Sequence, residues 1–239
     1  MTIDEVRRAF NYSPPGLEAQ ARMAPPYRRD MIRQMLNPPA CRQAGVLVLL
    51  YPQHGQLHFP LTKRPDSVEF HKGQISLPGG SQENGESFAQ TALREAKEEI
   101  GADSSAIEVI GRLSRMYVPP SNFCIYPFVG YAPRRPDFRL ETHEVAELIE
   151  APLDTLLDPA TARMEDWEIR GQVWPIPFYQ FGPHKVWGAT AMILAELAAI
   201  LTLGTPRKGV LGTRSHRHRG GANGGHSRST IELAQAGGE

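Results

Sequence analysis

Cysteine is nearly absent. The chain holds only Cys41 and Cys124. They do not stand at metal-ligand spacing, and two are too few for a disulfide framework. Cys124 lies in an apolar run and reads as a small core residue. The expectation is a reducing, cytoplasmic setting. A long hydrophobic run is also missing. The most apolar tract, 189–203, is broken by Glu196 and is too short to span a bilayer. The opening residues, MTIDEVRRAF, contain acids and no apolar segment, so no secretory signal is read there. There is no internal repeat.

Net charge is absent as well, since 26 Lys and Arg balance 26 Asp and Glu. The balance is uneven along the chain. No acid occurs between Leu197 and Ile231, where Arg207, Lys208, Arg214, Arg217, Arg219 and Arg228 lie. This end is rich in Gly, Ser, Arg and His and poor in large apolar residues. It cannot offset its ordering entropy by burial, so residues 205–239 are expected to be a disordered basic tail. A solvated tail is favoured over a nucleic-acid grip. His216, His218 and His226 lack a fixed frame for a metal.

What remains is a globular composition, 41% hydrophobic and 22% charged. Residues 1–40 read as a helical and irregular arm punctuated by Pro14, Pro15, Pro25, Pro26, Pro38 and Pro39. Helices are expected over 4–10 and 27–36. Residues 41–204 read as one domain. GVLVLLY, 45–51, suits a buried strand, and 57–63 its hairpin partner. A short strand over 74–77 ends at Pro78-Gly79-Gly80. A helix runs over 87–100, with Phe88, Ala92, Ala96 and Ile100 as its buried stripe and Gly101 as its stop. Strands follow within 107–118, at 123–131, with Pro127 implying an edge or a bulge, and at 145–150. A helical turn occupies 152–157, aromatic strand or loop 172–181, and a core helix 188–203.

The chemistry concentrates in the stretch GSQENGESFAQTALREAKEEIGA, 80–102. Glu95, Glu98 and Glu99 sit at i, i+3 and i+4, so three carboxylates share one helical face. Like charges repel there, and a hard divalent cation converts the repulsion into chelation. REAKEE alone would read as a solvated helix face. The wider spacing does not: Gly80, Glu86, Arg94, Glu95, Glu98, Glu99 and Gly101 fall at the intervals of the Nudix box. The chain resembles a Nudix hydrolase.

That resemblance implies an α/β/α sandwich around a mixed sheet, and metal-dependent hydrolysis of a nucleoside diphosphate derivative. It makes Glu95, Glu98 and Glu99 the ligands of Mg²⁺ or Mn²⁺, with Arg94 orienting them. Glu86 is either a more distant ligand or a support for the loop. The catalytic base is left between Glu95 and Glu99 in the box and Glu141, Glu144 and Glu147 beyond it. LTKRPDSVEFHKGQISLPGG, 61–80, is further similar to the motif of the coenzyme A pyrophosphatase branch, from Leu61, Thr62 and Arg64 through Gly73 and Gln74 to Pro78, Gly79 and Gly80. Pro65 and Leu77 depart from it. The implied substrate is coenzyme A or an acyl-CoA, bound by Lys63, Arg64, His71, Gln74, Gly79 and Gly80. The alternatives are a Nudix enzyme acting on ADP-ribose, NADH or another nucleoside diphosphate derivative, and a non-catalytic nucleotide-sensing module. The partner is a small molecule rather than membrane or nucleic acid, and a homodimer is compatible.

Overall fold

The computed structural model describes residues 1–29, 40–65, 73–169 and 171–204. Its centre is an eight-stranded mixed sheet ordered β3-β2-β1-β7-β5, with β4 on β1, β6 on β7 and β8 on β2. The strands are β1 (Arg42–Gln53), β2 (Gln56–Lys63), β3 (Ile75–Ser76), β4 (Gly79–Ser81), β5 (Glu108–Arg112), β6 (Met116–Val118), β7 (Phe123–Tyr131) and β8 (Glu147–Pro152). β1 runs parallel to β7, and the other pairings are antiparallel. A second sheet holds β9 (Ala162–Ile169), β10 (Gln172–Phe181) and β11 (His184–Trp187), ordered β11-β10-β9.

β1 is apolar at successive positions because both its faces are covered. Leu47, Leu49 and Tyr51 pack with Ala92, Ala96 and Ile100 from one side. Val46, Val48 and Leu50 face the larger core on the other. The helices are α1 (Ile3–Ala9), α2 (Leu17–Gln20), α3 (Pro26–Arg29), α4 (Phe88–Ile100), α5 (Leu153–Leu157) and α6 (Gly188–Gly204). α4 lies on the first face, and α1, α5 and α6 contribute to the second core. This is the expected sandwich. None of the described helices is long and apolar enough to cross a membrane.

The N-terminal residues belong to the larger core, into which Val6, Ala9, Met23 and Ala24 are buried. Fully buried Glu196 of α6 ties them down. Its carboxylate accepts from Gly16 N–H at 3.0 Å, Gln20 Nε2 at 2.8 Å and Ser114 N–H at 3.1 Å. The expected helix over 27–36 falls mostly outside the described residues, as does the whole tail.

Three expectations need correction. Cys41 and Cys124 form a disulfide, with Cα atoms 5.7 Å apart. Parallel pairing of β1 with β7 sets Gln43 opposite Cys124, which brings the sulfurs together across 83 residues of sequence. The argument for a reducing compartment rested on unpaired cysteines and loses that ground. Of the two alternatives for Pro127, an edge or a bulge, the edge is excluded: Pro127 lies in an interior strand, where the pairing is interrupted. It stands opposite the break between β5 and β6, where no ladder bond needs its missing N–H, and its carbonyl still accepts from Leu113 N–H. β9, mostly exposed and charged, was not anticipated.

Candidate active site

α4 starts and stops where its residues dictate. Ser87 accepts from Gln90 N–H while the Gln90 side chain accepts from Ser87 N–H, a full capping box. Gly101 ends the helix in the left-handed region at φ 70°. These two ends fix the rotational phase of the helix, and so the direction in which its carboxylates point.

Arg94 is the hub of that face. Its Nε donates to Glu86 Oε1 at 2.8 Å, and its Nη1 to Glu98 Oε2 at 2.7 Å. Nη1 also lies 2.9 Å from Glu95 Oε1, and Nη2 donates to the Ser81 carbonyl at 2.9 Å. One guanidinium thus joins two helix carboxylates to the preceding turn. Arg94 holds the Glu86 carboxyl below its ordinary range, and Glu86 also accepts from Thr91 Oγ1 and from Glu83 N–H. These partners tie Glu86 to the loop and to α4.

Glu95 and Glu99 point inward. Glu95 is pressed against Gly80, where a Cβ would lie 2.5 Å from the carboxylate, so residue 80 must be glycine for Glu95 to sit there. Burial raises the Glu95 carboxyl, opposed by Arg94. Glu99 is only 7% exposed. Burial first, then the charges of Glu95 and Glu144, push its carboxyl up to about 8, against the Gly79 N–H and Arg64, which lower it. Its Oε2 is buried with no hydrogen-bond partner among the described residues.

A cavity of about 250 Å³ opens beside Glu99. Arg64, Gln74, Gly79 and Gly80 line it, and Val118, Phe123, Ile125, Trp187 and Ile193 add an apolar wall. The Nε of Arg64 is buried without a partner among the described residues. The structure therefore gathers Arg64, Gln74, Gly79, Gly80 and Glu99 around one space. Lys63 is not part of the lining; it faces Glu147 at 3.7 Å. His71 lies outside the described residues. Sequence reasoning did not anticipate the apolar wall, which comes from β6, β7, β11 and α6.

Of the later carboxylates, Glu147 is held by Lys63 and by His184 at 3.2 Å. Glu141 accepts from His143 N–H through its side chain. Glu144 is the one whose charge reaches both Glu95 and Glu99.

As placed, no three acidic, His or Cys side chains among the described residues converge closely enough to hold a metal. The donor set nevertheless suits a hard cation. It is all carboxylate, it includes one orphaned buried oxygen, and its members raise one another's affinity for protons, which a divalent ion relieves.

Comparison with known proteins gives a consistent pattern. The family model described as NUDIX domain matches residues 42–170. The protein named "Uncharacterized Nudix hydrolase NudL" in Cronobacter sakazakii is 37% identical over 181 residues, 72% of this chain and 87% of its own length. "Nudix hydrolase 22, chloroplastic" of Arabidopsis thaliana is 31% identical over 168 residues, and there the match spans 67% of this chain but 55% of the plant protein. Among solved structures, a MutT/nudix family protein from Enterococcus faecalis aligns over 77% of this chain with a TM-score of 0.44 and 19% identity.

Proposed function

This chain belongs to the NUDIX domain family, and from that premise we propose that it is a metal-dependent pyrophosphatase of coenzyme A or acyl-CoA. Hydrolases of this family act on nucleoside diphosphate derivatives and use divalent metals. The observation that carries the finer reading is the mixed lining of one cavity. Glu99, Arg64 and the Gly79-Gly80 bend line it together with the apolar Val118, Phe123, Ile125, Trp187 and Ile193. A diphosphate that joins a nucleotide to a long, partly apolar arm matches that mixed lining. The motif over 61–80 supports the same substrate.

Glu95, Glu98 and Glu99 would hold Mg²⁺ or Mn²⁺, which when bound neutralises diphosphate oxygens and lowers the pKa of water. Arg94 sets the direction of Glu95 and Glu98 through its fork of N–H groups. Arg64 offers a cation to the diphosphate from the cavity lining. Gly80 leaves room for both the Glu95 carboxylate and the ligand. Glu144 is assigned as the base that takes the proton of the attacking water, because Glu141 and Glu147 have other partners. The products are 3′,5′-ADP and 4′-phosphopantetheine or its acyl form.

The test is product identification after incubating the full chain with coenzyme A and Mg²⁺ or Mn²⁺. These two products are expected. Faster hydrolysis of ADP-ribose or NADH than of coenzyme A would reject the substrate.

A further inference from the structure

Arg42 opens β1 and pairs across the sheet with Phe123, the first residue of β7. Its guanidinium lies over the Phe123 ring, 3.9 Å from the centroid. Phe123 lines the cavity beside Glu99. Residues 42, 44 and 46 share one face of the strand. Ala44 and Val46 both line the cavity, so Arg42 stands at its rim, on the same side. Val46 pairs with Gly79 of the glycine bend. Four residues of strand, about 13 Å, separate that bend from the Arg42 backbone.

Arg42 is exposed and forms no ion pair with a described residue. A guanidinium stacked on an aromatic ring uses its face and keeps its edge N–H groups free. Phe123 thus orients a fork of donors that has no ion-pair partner among the described residues. Such a fork suits a phosphate monoester, which accepts two parallel N–H bonds. Lys63 does not supply an equivalent, since it is turned to Glu147, and Arg64 lies at the glycine bend.

We propose that Arg42, held by Phe123, forms a subsite for a second, terminal phosphate on the nucleoside end of the substrate. In coenzyme A this is the 3′-phosphate. The inference rests on the coenzyme A reading above and deepens it. The subsite separates coenzyme A from ADP-ribose and NADH, which share the diphosphate but lack that monoester. It also places the nucleotide towards Arg42 and Phe123.

The experiment compares kcat/KM for coenzyme A and 3′-dephospho-coenzyme A, using the full chain with Mg²⁺. The wild-type protein is expected to favour coenzyme A by roughly 10–100-fold, the scale of a lost charge-assisted contact. In Arg42→Gln the ratio falls towards one, and in Arg42→Lys, which keeps charge without the planar fork, it lies between. As inhibitors, 3′,5′-ADP should exceed AMP in the wild type, and the gap should close in Arg42→Gln. A wild-type ratio near one, or a ratio that Arg42→Gln leaves in place, overturns the subsite while the coenzyme A reading stands. Cleavage of neither compound overturns both.

Discussion

Removing the charge of Glu99 should make the metal-free protein more stable while abolishing its activity. The Glu99 carboxyl is pushed from the ordinary 4.5 to about 8 in the fold. In the unfolded chain it ionises near 4.5, so between those values the folded state binds one proton more. Stability therefore falls as pH rises through this window, and the loss is complete above about 8. The cost is about 3 kcal/mol at pH 7 and about 5 kcal/mol above pH 8, at roughly 1.4 kcal/mol per pH unit. Glu99→Gln keeps an oxygen to accept the Gly79 N–H and carries no charge. Its Tm without metal should exceed that of the wild type by roughly 6–12 °C at pH 7, given about 2–4 °C per kcal/mol for a chain of this size. At pH 5 the two proteins should nearly coincide. Thermal unfolding in EDTA at pH 5, 7 and 8.5 reads this directly. Added Mg²⁺ should stabilise only the wild type, and the turnover of the variant should fall by orders of magnitude. A variant no more stable than wild type at pH 8.5, or a gap that does not widen with pH, would refute the reasoning.

Three further outcomes follow from the geometry. Gly80→Ala places a Cβ against the Glu95 carboxylate, the mobile end of a flexible side chain. Activity should drop at least tenfold with little change in Tm, and an unaffected rate would show that the position of Glu95 is immaterial. Ser87→Ala deletes the capping box of α4 and should cost about 1 kcal/mol, seen as a lower denaturation midpoint. Opening the Cys41–Cys124 bridge by reduction, or by replacing both with Ser, releases a closed loop spanning 83 residues and should cost about 2–4 kcal/mol. Equal midpoints for the oxidised and reduced protein would count against a structural role for the bridge.

The carboxylate face was legible in the sequence because a helix converts spacing into geometry, and because Ser87 and Gly101 mark its ends by local chemistry. The strands β1 and β2, with their apolar runs, were legible for the same reason, whereas the aromatic and proline-rich residues of β10 left strand and loop open. What depended on neighbours distant in the chain was not. Lys63 and Arg64 are adjacent cations with the same look on paper, yet Arg64 enters the cavity lining and Lys63 meets Glu147. The disulfide needed the parallel β1–β7 pairing, and the interior place of Pro127 needed the break between β5 and β6. β9 carries charge at most exposed positions, so no hydrophobic period announced it. The apolar wall joins β6, β7, β11 and α6, which no local pattern links.

The way Glu196 is satisfied extends the packed interior beyond the residues that match the family. Two of its donors, Gly16 N–H and Gln20 Nε2, come from a segment upstream of the residues that match the family. A fragment starting at Arg42 would leave the acceptor short of partners inside a dry helix interface, with the apolar seats of Val6, Ala9 and Met23 laid open beside it. Boundaries drawn from homology alone would therefore cut through the hydrolase's own interior.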